Sequence, residues 1–236
     1  VLLAEVRTIG VDAFRNDIKL TNVYMPEVQT IGVDAFNKCT QLKKVEMSKV
    51  VTIEKGAFYK CTSLTKLSIP KVEFIGQSTF NGCTNLAEIS LPAVKEISKW
   101  AFQNCSSLTE ISLPSVKVIK EVAFEKCTRL KTVEIGRDIT SIIGQAFDGC
   151  TALETATINN WRAKAGVASN AFPATVNVIY LDDLITSAKD HINDRESITL
   201  QAAVTEVAKG TTDREKVVIE NDVIIKTPIT VPEGAT

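Results

Sequence analysis

Six cysteines are the residues of this chain whose type and spacing could do chemistry, as disulfides, metal ligands or nucleophiles. Each lies three residues after a recurring phenylalanine; they are Cys39, Cys61, Cys83, Cys105, Cys127 and Cys150. A disulfide needs two Cβ atoms that face one another across about 3.8 Å, whereas equivalent positions of stacked coils point the same way. No Cys-x-x-Cys pair of the kind that binds zinc is present. We therefore expect free thiols that are buried as small hydrophobic side chains.

The other groups that could do chemistry lie in the C-terminal quarter and match no known site. His191 is the single histidine and lies outside the repeated pattern, away from every cysteine. The acidic residues between positions 182 and 196 lack the alternating spacing and the central glycine of a calcium loop. The stretch Lys209-Gly-Thr-Thr lacks the upstream glycine of a phosphate-binding loop. We therefore predict that the protein is not an enzyme and holds no cofactor or metal ion.

Charge and hydropathy narrow the choice of partners. The 236 residues carry a formal net charge of −1, and this balance argues against a surface built for nucleic acid. No apolar run approaches the ~18 residues that a membrane span needs, so we expect no membrane insertion within this chain. We also expect a monomer. The chain opens at Val1 inside the repeated pattern. We expect that any signal peptide or anchor would lie outside it.

A 22-residue repeat must position these side chains. Successive phenylalanines from Phe14 to Phe124 are 22 residues apart, and periods of about 20–29 residues with regular leucines are typical of leucine-rich solenoids. Counted from the phenylalanine, leucine recurs at plus six and apolar residues recur at plus nine and plus eleven. The last two positions share one face of a strand, because side chains alternate along it. We expect one short strand per coil, stacked into a parallel sheet.

The rest of each coil must return the chain to the next strand. Proline often follows the strand, and the chain then crosses through a valine at plus fourteen and an isoleucine at plus seventeen. The Ala-Phe pair, as at Ala57-Phe58, is expected to form one helical or 3₁₀ turn whose phenylalanine fills the core from the opposite wall. Threonine or serine follows each cysteine, and its hydroxyl could satisfy backbone groups of the loop.

The combined pattern AFxxCxxLxxIxLPxxVxxI, seen for example in AFQNCSSLTEISLP from Ala101, resembles the BspA-like leucine-rich repeat family of bacterial surface proteins. The resemblance covers about Val6 to Tyr180. It implies an α/β solenoid, a right-handed superhelix with one short parallel strand per coil of about 22 residues. The inward asparagine of better-known leucine-rich repeats is absent, since Val94 stands at its place. We expect the cysteine and threonine columns to take over part of its role.

The repeat loosens towards its end, because Phe172 follows Phe147 by 25 residues. The run from Thr175 to Tyr180 is predicted to be the last strand. We therefore divide the chain into a solenoid at 1–180, a capping helix or linker at 181–196, and a β-rich C-terminal segment at 197–236. The last segment resembles the start of a further module.

The outward strand positions, plus seven, plus eight and plus ten, are expected to form a concave binding face, as in other solenoids. This face is basic in the early coils and acidic in the middle ones. The candidate ligand-binding residues are Tyr24, Lys43, Lys44, Glu46, Lys66, Glu88, Glu110, Lys131 and Glu134. Tyr24 is the only aromatic residue among them. Since strong binding sites favour Trp, Tyr and Arg, we expect a partner to bind weakly or through several contacts at once.

The family resemblance implies a non-enzymatic bacterial module, secreted or at the cell surface, that binds host protein, matrix or other cells through this face. Carbohydrate is a further candidate ligand. Two alternatives stay open. The chain could be a structural spacer that holds another domain away from the cell, which the plain chemistry of the face favours. It could also be an accessory module of a larger carbohydrate-active protein.

Overall fold

A computed structural model describes residues Val1 to Tyr180, and every structural statement below refers to these residues. Residues Val1–Ile179 form one compact unit. The predicted capping helix or linker at 181–196 and the predicted β-rich segment at 197–236 lie outside the described residues.

Fifteen short strands follow one another along the described residues. In chain order they are β1 (Thr8–Ile9), β2 (Asn22–Tyr24), β3 (Thr30–Ile31), β4 (Lys44–Glu46), β5 (Thr52–Ile53), β6 (Lys66–Ser68), β7 (Phe74–Ile75), β8 (Glu88–Ser90), β9 (Glu96–Ile97), β10 (Glu110–Leu113), β11 (Val118–Ile119), β12 (Thr132–Ile135), β13 (Ser141–Ile142), β14 (Thr155–Ile158) and β15 (Asn177–Tyr180). A 3₁₀ helix, Trp161–Gly166, lies between the last two strands.

Two sets of parallel strands form two sides of each coil. The seven odd-numbered strands from β1 to β13 build one continuous sheet. The remaining strands form three hydrogen-bonded groups, β2–β4, β6–β8 and β10–β12–β14–β15. Partners are equivalent residues of adjacent coils, such as Thr30 with Thr52 and Glu110 with Thr132. The predicted parallel strand at plus eight to plus ten is confirmed, whereas the seven-stranded sheet at the crossing isoleucines was not foreseen.

The α/β assignment is wrong for the described residues, because the expected helical segment at each Ala-Phe pair is a series of turns. In the coil of Phe36, the N–H groups of Ala35 and Asn37 bond to carbonyls three residues earlier. The N–H of Phe36, which lies between them, instead crosses to the carbonyl of Ala57 in the next coil, at 2.8 Å. A helix needs consecutive bonds along its own chain. The alternation therefore makes a parallel β-solenoid with almost no helix.

These turns require left-handed backbone at two fixed positions. The residues with positive φ all lie two positions before or two positions after a repeat phenylalanine; they are Asp12, Asn16, Asp34, Lys38, Gly56, Lys60, Ser78, Gly82, Trp100, Asn104, Val122, Lys126, Gln145 and Gly149. A type II turn requires positive φ at its third residue. Asp34 occupies that place between Gly32 and Ala35, which are joined by a backbone hydrogen bond. The turn side of each coil is thus built from tight turns rather than from a helical element.

One peptide unit per coil links the turns along the solenoid. The N–H of Phe14 donates to the carbonyl of Ala35 in the next coil. The peptide that contains this carbonyl also contains the N–H of Phe36, which donates in turn to the carbonyl of Ala57. The pattern continues without a break to the bond from Phe147 to Ala171, with N···O distances of 2.7 to 2.9 Å. Because each peptide both accepts and donates, the bonds polarise one another. The turn side therefore has its own continuous hydrogen-bonded chain.

The core consists of columns of equivalent residues. Eight phenylalanine rings from Phe14 to Phe172 stack on one another, with ring centroids 4.7 to 5.5 Å apart and planes within 19°. The leucines at plus six are buried, as are the apolar residues at plus nine and plus eleven, with Ile89 alone half-buried. The predicted inward positions of the repeat are thus confirmed.

Candidate functional site

The cysteine column forms a ladder of hydrogen bonds between coils. All six thiols are free and buried. Each Sγ donates to the carbonyl of the repeat phenylalanine in the preceding coil, at Sγ···O distances of 3.0 to 3.2 Å. The carbonyl of Phe58, for example, accepts both the thiol of Cys83 and the N–H of Cys61. The column therefore takes over the linking role expected from the missing asparagines.

Burial disfavours the thiolate form at five of the six cysteines. Burial raises the pKa of Cys83 to about 12 and that of Cys39 to about 11. It also raises the pKa of the other thiols for which a shift is resolved, those of Cys61, Cys105 and Cys127. The thiolate is the nucleophile and the metal ligand, and these sites favour the protonated thiol. Within the described residues, no group of His, Cys, Asp and Glu could hold a metal ion.

The hydroxyl column beside the cysteines contributes less. Three of its members, Thr62, Ser106 and Thr151, donate to a carbonyl of the preceding coil. Their O···O distances of 3.3 to 3.4 Å exceed the usual 2.5–3.0 Å for such bonds. The cysteines are thus the main polar link between coils inside the core.

The strand face is the outward surface of the even-numbered strands, formed by the residues at plus seven, plus eight and plus ten. All nine predicted binding residues are exposed on it. The structure spreads them over six coils rather than bringing them together in one cluster. Neighbouring coils align equivalent positions, so that Tyr24 lies beside Glu46 in the ladder of β2 and β4. The strand face is therefore an extended surface and not a pocket.

Ion pairs within the strand face reduce its predicted charge contrast. Lys44 Nζ lies 2.5 Å from a carboxylate oxygen of Glu46 on the same strand. Lys66 forms an ion pair with Glu88 across β6 and β8. The four side chains are well exposed, at 47% to 72%, and such pairs contribute only about 0–1 kcal/mol each. Two of the three early lysines are nevertheless neutralised by acidic neighbours, so the basic region is smaller than the sequence suggests.

One residue of the strand face was missed by the sequence reasoning. Leu2 pairs in parallel with Tyr24, and their exposed fractions are 65% and 46%. The signal was available, because Leu2 precedes Tyr24 by one period of 22 residues. Lys43, on the adjacent coil, is exposed and makes no ion pair within the described residues. This part of the strand face thus combines an apolar side chain, an aromatic ring and a free cation.

The remaining predictions about chemistry fall outside the described part of the chain. His191, the acidic residues at 182–196 and the Lys209 stretch all lie there, so the expectation that they form no site stays a prediction. Between residues 1 and 180, no helix has the length and hydrophobicity that crossing a membrane requires.

Comparison with known proteins identifies the repeat. The sequence model of the BspA-type leucine-rich repeat region matches residues 7–115 and 51–179, with six copies. Among curated protein sequences, none is significantly similar to the chain. Leucine-rich repeat folds of this kind generally serve as non-enzymatic scaffolds for interactions with other proteins.

Solved structures of bacterial leucine-rich repeat proteins resemble this one in sequence and fold. A protein from Bacteroides ovatus is 27% identical with a TM-score of 0.65, and the match covers 74% of this chain and 45% of that one. A protein from T. pallidum is 31% identical with a TM-score of 0.56, covering 65% and 77%. One from Eubacterium ventriosum is 28% identical with a TM-score of 0.59, covering 66% and 44%. The match thus spans less than half the length of the first and third relatives. The chain itself belongs to the BspA-type leucine-rich repeat family.

Proposed function

We propose that this chain is a non-enzymatic interaction module that acts at the cell surface or outside the cell and binds protein through its strand face. The observation that carries the proposal is the strict division of the coil. The stacked rings from Phe36 to Phe147 and the thiols are buried, whereas the nine candidate side chains are all exposed on the strand face. A solenoid uses such an extended face for recognition because each coil adds outward positions in register with the last.

The strongest contact is expected near Tyr24. Energetically dominant contacts favour aromatic side chains flanked by groups that exclude water, and Tyr24 has the exposed Leu2 beside it. Lys43 supplies a cation that no neighbouring carboxylate neutralises within the described residues. A host or matrix protein with an apolar side chain close to an acidic one would fit these groups. The rest of the strand face offers short hydroxyl side chains and paired charges, which add contact area.

The spacer role remains the second candidate, and a specific observation favours it. The charged side chains of β4, β6 and β8 are paired with one another. A surface that satisfies its own charges has less electrostatic gain left for a partner. In a spacer, these charged residues would only have to keep the coils stacked and the protein soluble, and would not have to recognise a partner.

Binding to a panel of immobilised proteins tests the proposal. The folded chain is passed over matrix proteins, host-cell surface proteins and glycans at physiological salt. A double variant, Tyr24→Ser/Lys43→Glu, runs beside it. The matched control is Phe74→Ser/Lys117→Glu, which changes an aromatic ring with 41% exposure and an exposed lysine on the seven-stranded side.

Saturable binding that is lost in the first variant and kept in the control supports recognition on the strand face near Tyr24. Binding that survives the first variant places recognition elsewhere and overturns the proposed surface. Absence of binding to any immobilised protein or glycan, by a chain shown to be folded, supports the spacer.

A further inference from the structure

The strand face is interrupted at two places. Within the described residues no ladder joins β4 to β6 or β8 to β10. Where strands are joined, a flanking bond accompanies the ladder, as from Lys43 N–H to Thr21 O at 2.8 Å and from Ala87 N–H to Thr65 O at 2.9 Å. The equivalent bonds at the interruptions, from Thr65 N–H to Lys43 O and from Thr109 N–H to Ala87 O, are not made. The backbone is therefore open at these two junctions.

Both interruptions coincide with like charges at the central outward position of the strand pair. At plus eight the coils read Asn22, Lys44, Lys66, Glu88, Glu110, Thr132 and Thr155. Two lysines face each other between β4 and β6, and two glutamates between β8 and β10. In each intact ladder, the two plus-eight residues either have opposite charges, as in the ion pair of Lys66 with Glu88, or include at least one uncharged residue. Like charges directly opposite one another destabilise strand pairing.

The position of the like charges within the strand matters. Lys95 and Lys117 are also neighbours in adjacent coils, yet the N–H of Lys117 donates to the carbonyl of Lys95 at 2.7 Å. These lysines precede β9 and β11 rather than belonging to them. Ion pairing does not distinguish the two cases, because Lys95 forms an ion pair with a glutamate just as Lys44 and Lys66 do. The feature that differs is that the like charges at the open junctions stand on the strand residues themselves.

Between residues 1 and 180, neither the seven-stranded sheet nor the turn side has such an interruption. At the same coil boundaries Thr52 pairs with Phe74 and Glu96 pairs with Val118 in the continuous seven-stranded sheet. We propose that the two like-charge pairs divide the strand face into three plates, β2–β4, β6–β8 and β10–β12–β14–β15, which bend relative to one another while the seven-stranded sheet and the turn side stay continuous. This inference deepens the proposed function, because a hinged face can change its curvature to fit partner surfaces of different shape.

A charge swap on one plate closes both junctions without changing composition. The double variant Lys66→Glu/Glu88→Lys keeps an opposite-charge pair between β6 and β8 with its polarity reversed. The same change leaves opposite charges facing each other at both junctions. Amide hydrogen exchange of Thr65 and Thr109 is the measurement. In the native chain these amides exchange faster than the bonded amide of Lys43, and in the swap variant their exchange slows severalfold.

Two further variants make the test specific. Glu110→Lys alone should slow exchange at Thr109 and leave Thr65 unchanged. The control, Glu27→Lys/Lys49→Glu, swaps an ion pair of 2.7 Å that lies off the strand face and should leave both amides unchanged.

The proposal is overturned if Thr65 and Thr109 are as protected as Lys43 in the native chain. It is also overturned if the folded swap variant keeps the native exchange rates. Because exchange is measured without a partner, this result is independent of whether the protein panel reveals any binding.

Discussion

Replacing Gln145 by asparagine should stabilise the solenoid, because Gln145 stands at one of the left-handed positions of the turns. Its φ is 61°, and its side chain is exposed. Its backbone N–H donates to the carbonyl of Asn170, so the conformation is fixed by a bond between coils. Asparagine enters the left-handed region more readily than glutamine, because its short side chain can bond to the local backbone.

The expected gain follows from the cost of that conformation. A left-handed L-residue costs roughly 1–2 kcal/mol, and asparagine should recover about half of this. We expect a gain of about 0.5–1 kcal/mol, which for a chain of this size raises Tm by about 1–4 °C. Little is lost in exchange, since an exposed side chain gives up almost no buried area.

The matched control is Gln29→Asn, which makes the same chemical change at a residue that is exposed and has no positive φ. Thermal unfolding followed by circular dichroism compares the two variants with the parent chain. Repeat proteins open locally, so amide exchange at Phe147, whose N–H bonds to Ala171 at 2.9 Å, reports on the coil of Gln145 itself. Protection there should rise about two- to fivefold, the equivalent of 0.5–1 kcal/mol.

The comparison of the two variants decides whether the reasoning holds. Backbone conformation is the intended difference between the two positions. If Gln145→Asn and Gln29→Asn shift Tm and exchange equally, or if Gln145→Asn is the more destabilising, then strain at the left-handed turn positions does not limit stability.

Four further predictions concern the core, the close approach of coils and, in two cases, the thiols. Phe80→Ala should cost about 3–5 kcal/mol, because its fully buried ring stacks between two others, whereas Lys131→Ala should change thermal stability by less than about 0.5 kcal/mol. Gly136→Ala should lower Tm markedly, since the added Cβ would lie 1.8 Å from the carbonyl oxygen of Pro114; an unchanged Tm would contradict this packing. Folded protein should resist a thiol reagent and release six equivalents on unfolding, one per cysteine. The pKa of Cys83 is raised from 9.0 to about 12 in the native state. Its contribution to stability is therefore complete below pH 9 and is lost as the pH rises to about 12, which a pH series of denaturant unfolding checks.

Periodicity made the columns of the coil predictable, because each position is sampled once per 22 residues. Phe80, Cys83 and Leu86 could be assigned to the core since their counterparts in other coils share their type. The run from Thr175 to Tyr180 was predicted as the last strand although the spacing has loosened there, and β15 lies within it. The outward placement of Tyr24 and Glu110 followed from strand alternation alone.

Other features depend on information that the pattern does not carry. A strand of two residues, such as Thr52–Ile53, is too short for alternation to be visible, so the seven-stranded sheet was overlooked. Positive φ falls on residues such as Lys38 and Val122, whose types give no sign of it. The charges at plus eight were readable, but not their effect on the ladder between strands. That effect depends on which side chains pair, and the structure shows Lys66 paired with Glu88.

The row of hydrogen-bonded peptide units that links the coils from Phe14 to Ala171 aligns the peptide dipoles of the turn side in one direction. Every N–H in it points towards the C-terminal end of the solenoid, and the bond from Asn16 to Asn37 belongs to a parallel row with the same direction. Aligned peptide dipoles add up, as they do in an α-helix, but here the positive end is the C-terminal one and successive units lie about 4.8 Å apart.

The rows of the seven-stranded side run the other way, since the N–H of Val51 donates to the carbonyl of Gln29 and that of Gly32 to the carbonyl of Ile9, both in the preceding coil. The peptide dipoles of the two sides therefore oppose one another. The charge that the backbone places at each end of the solenoid thus differs from side to side, positive at the C-terminal end on the turn side and positive at the N-terminal end on the seven-stranded side.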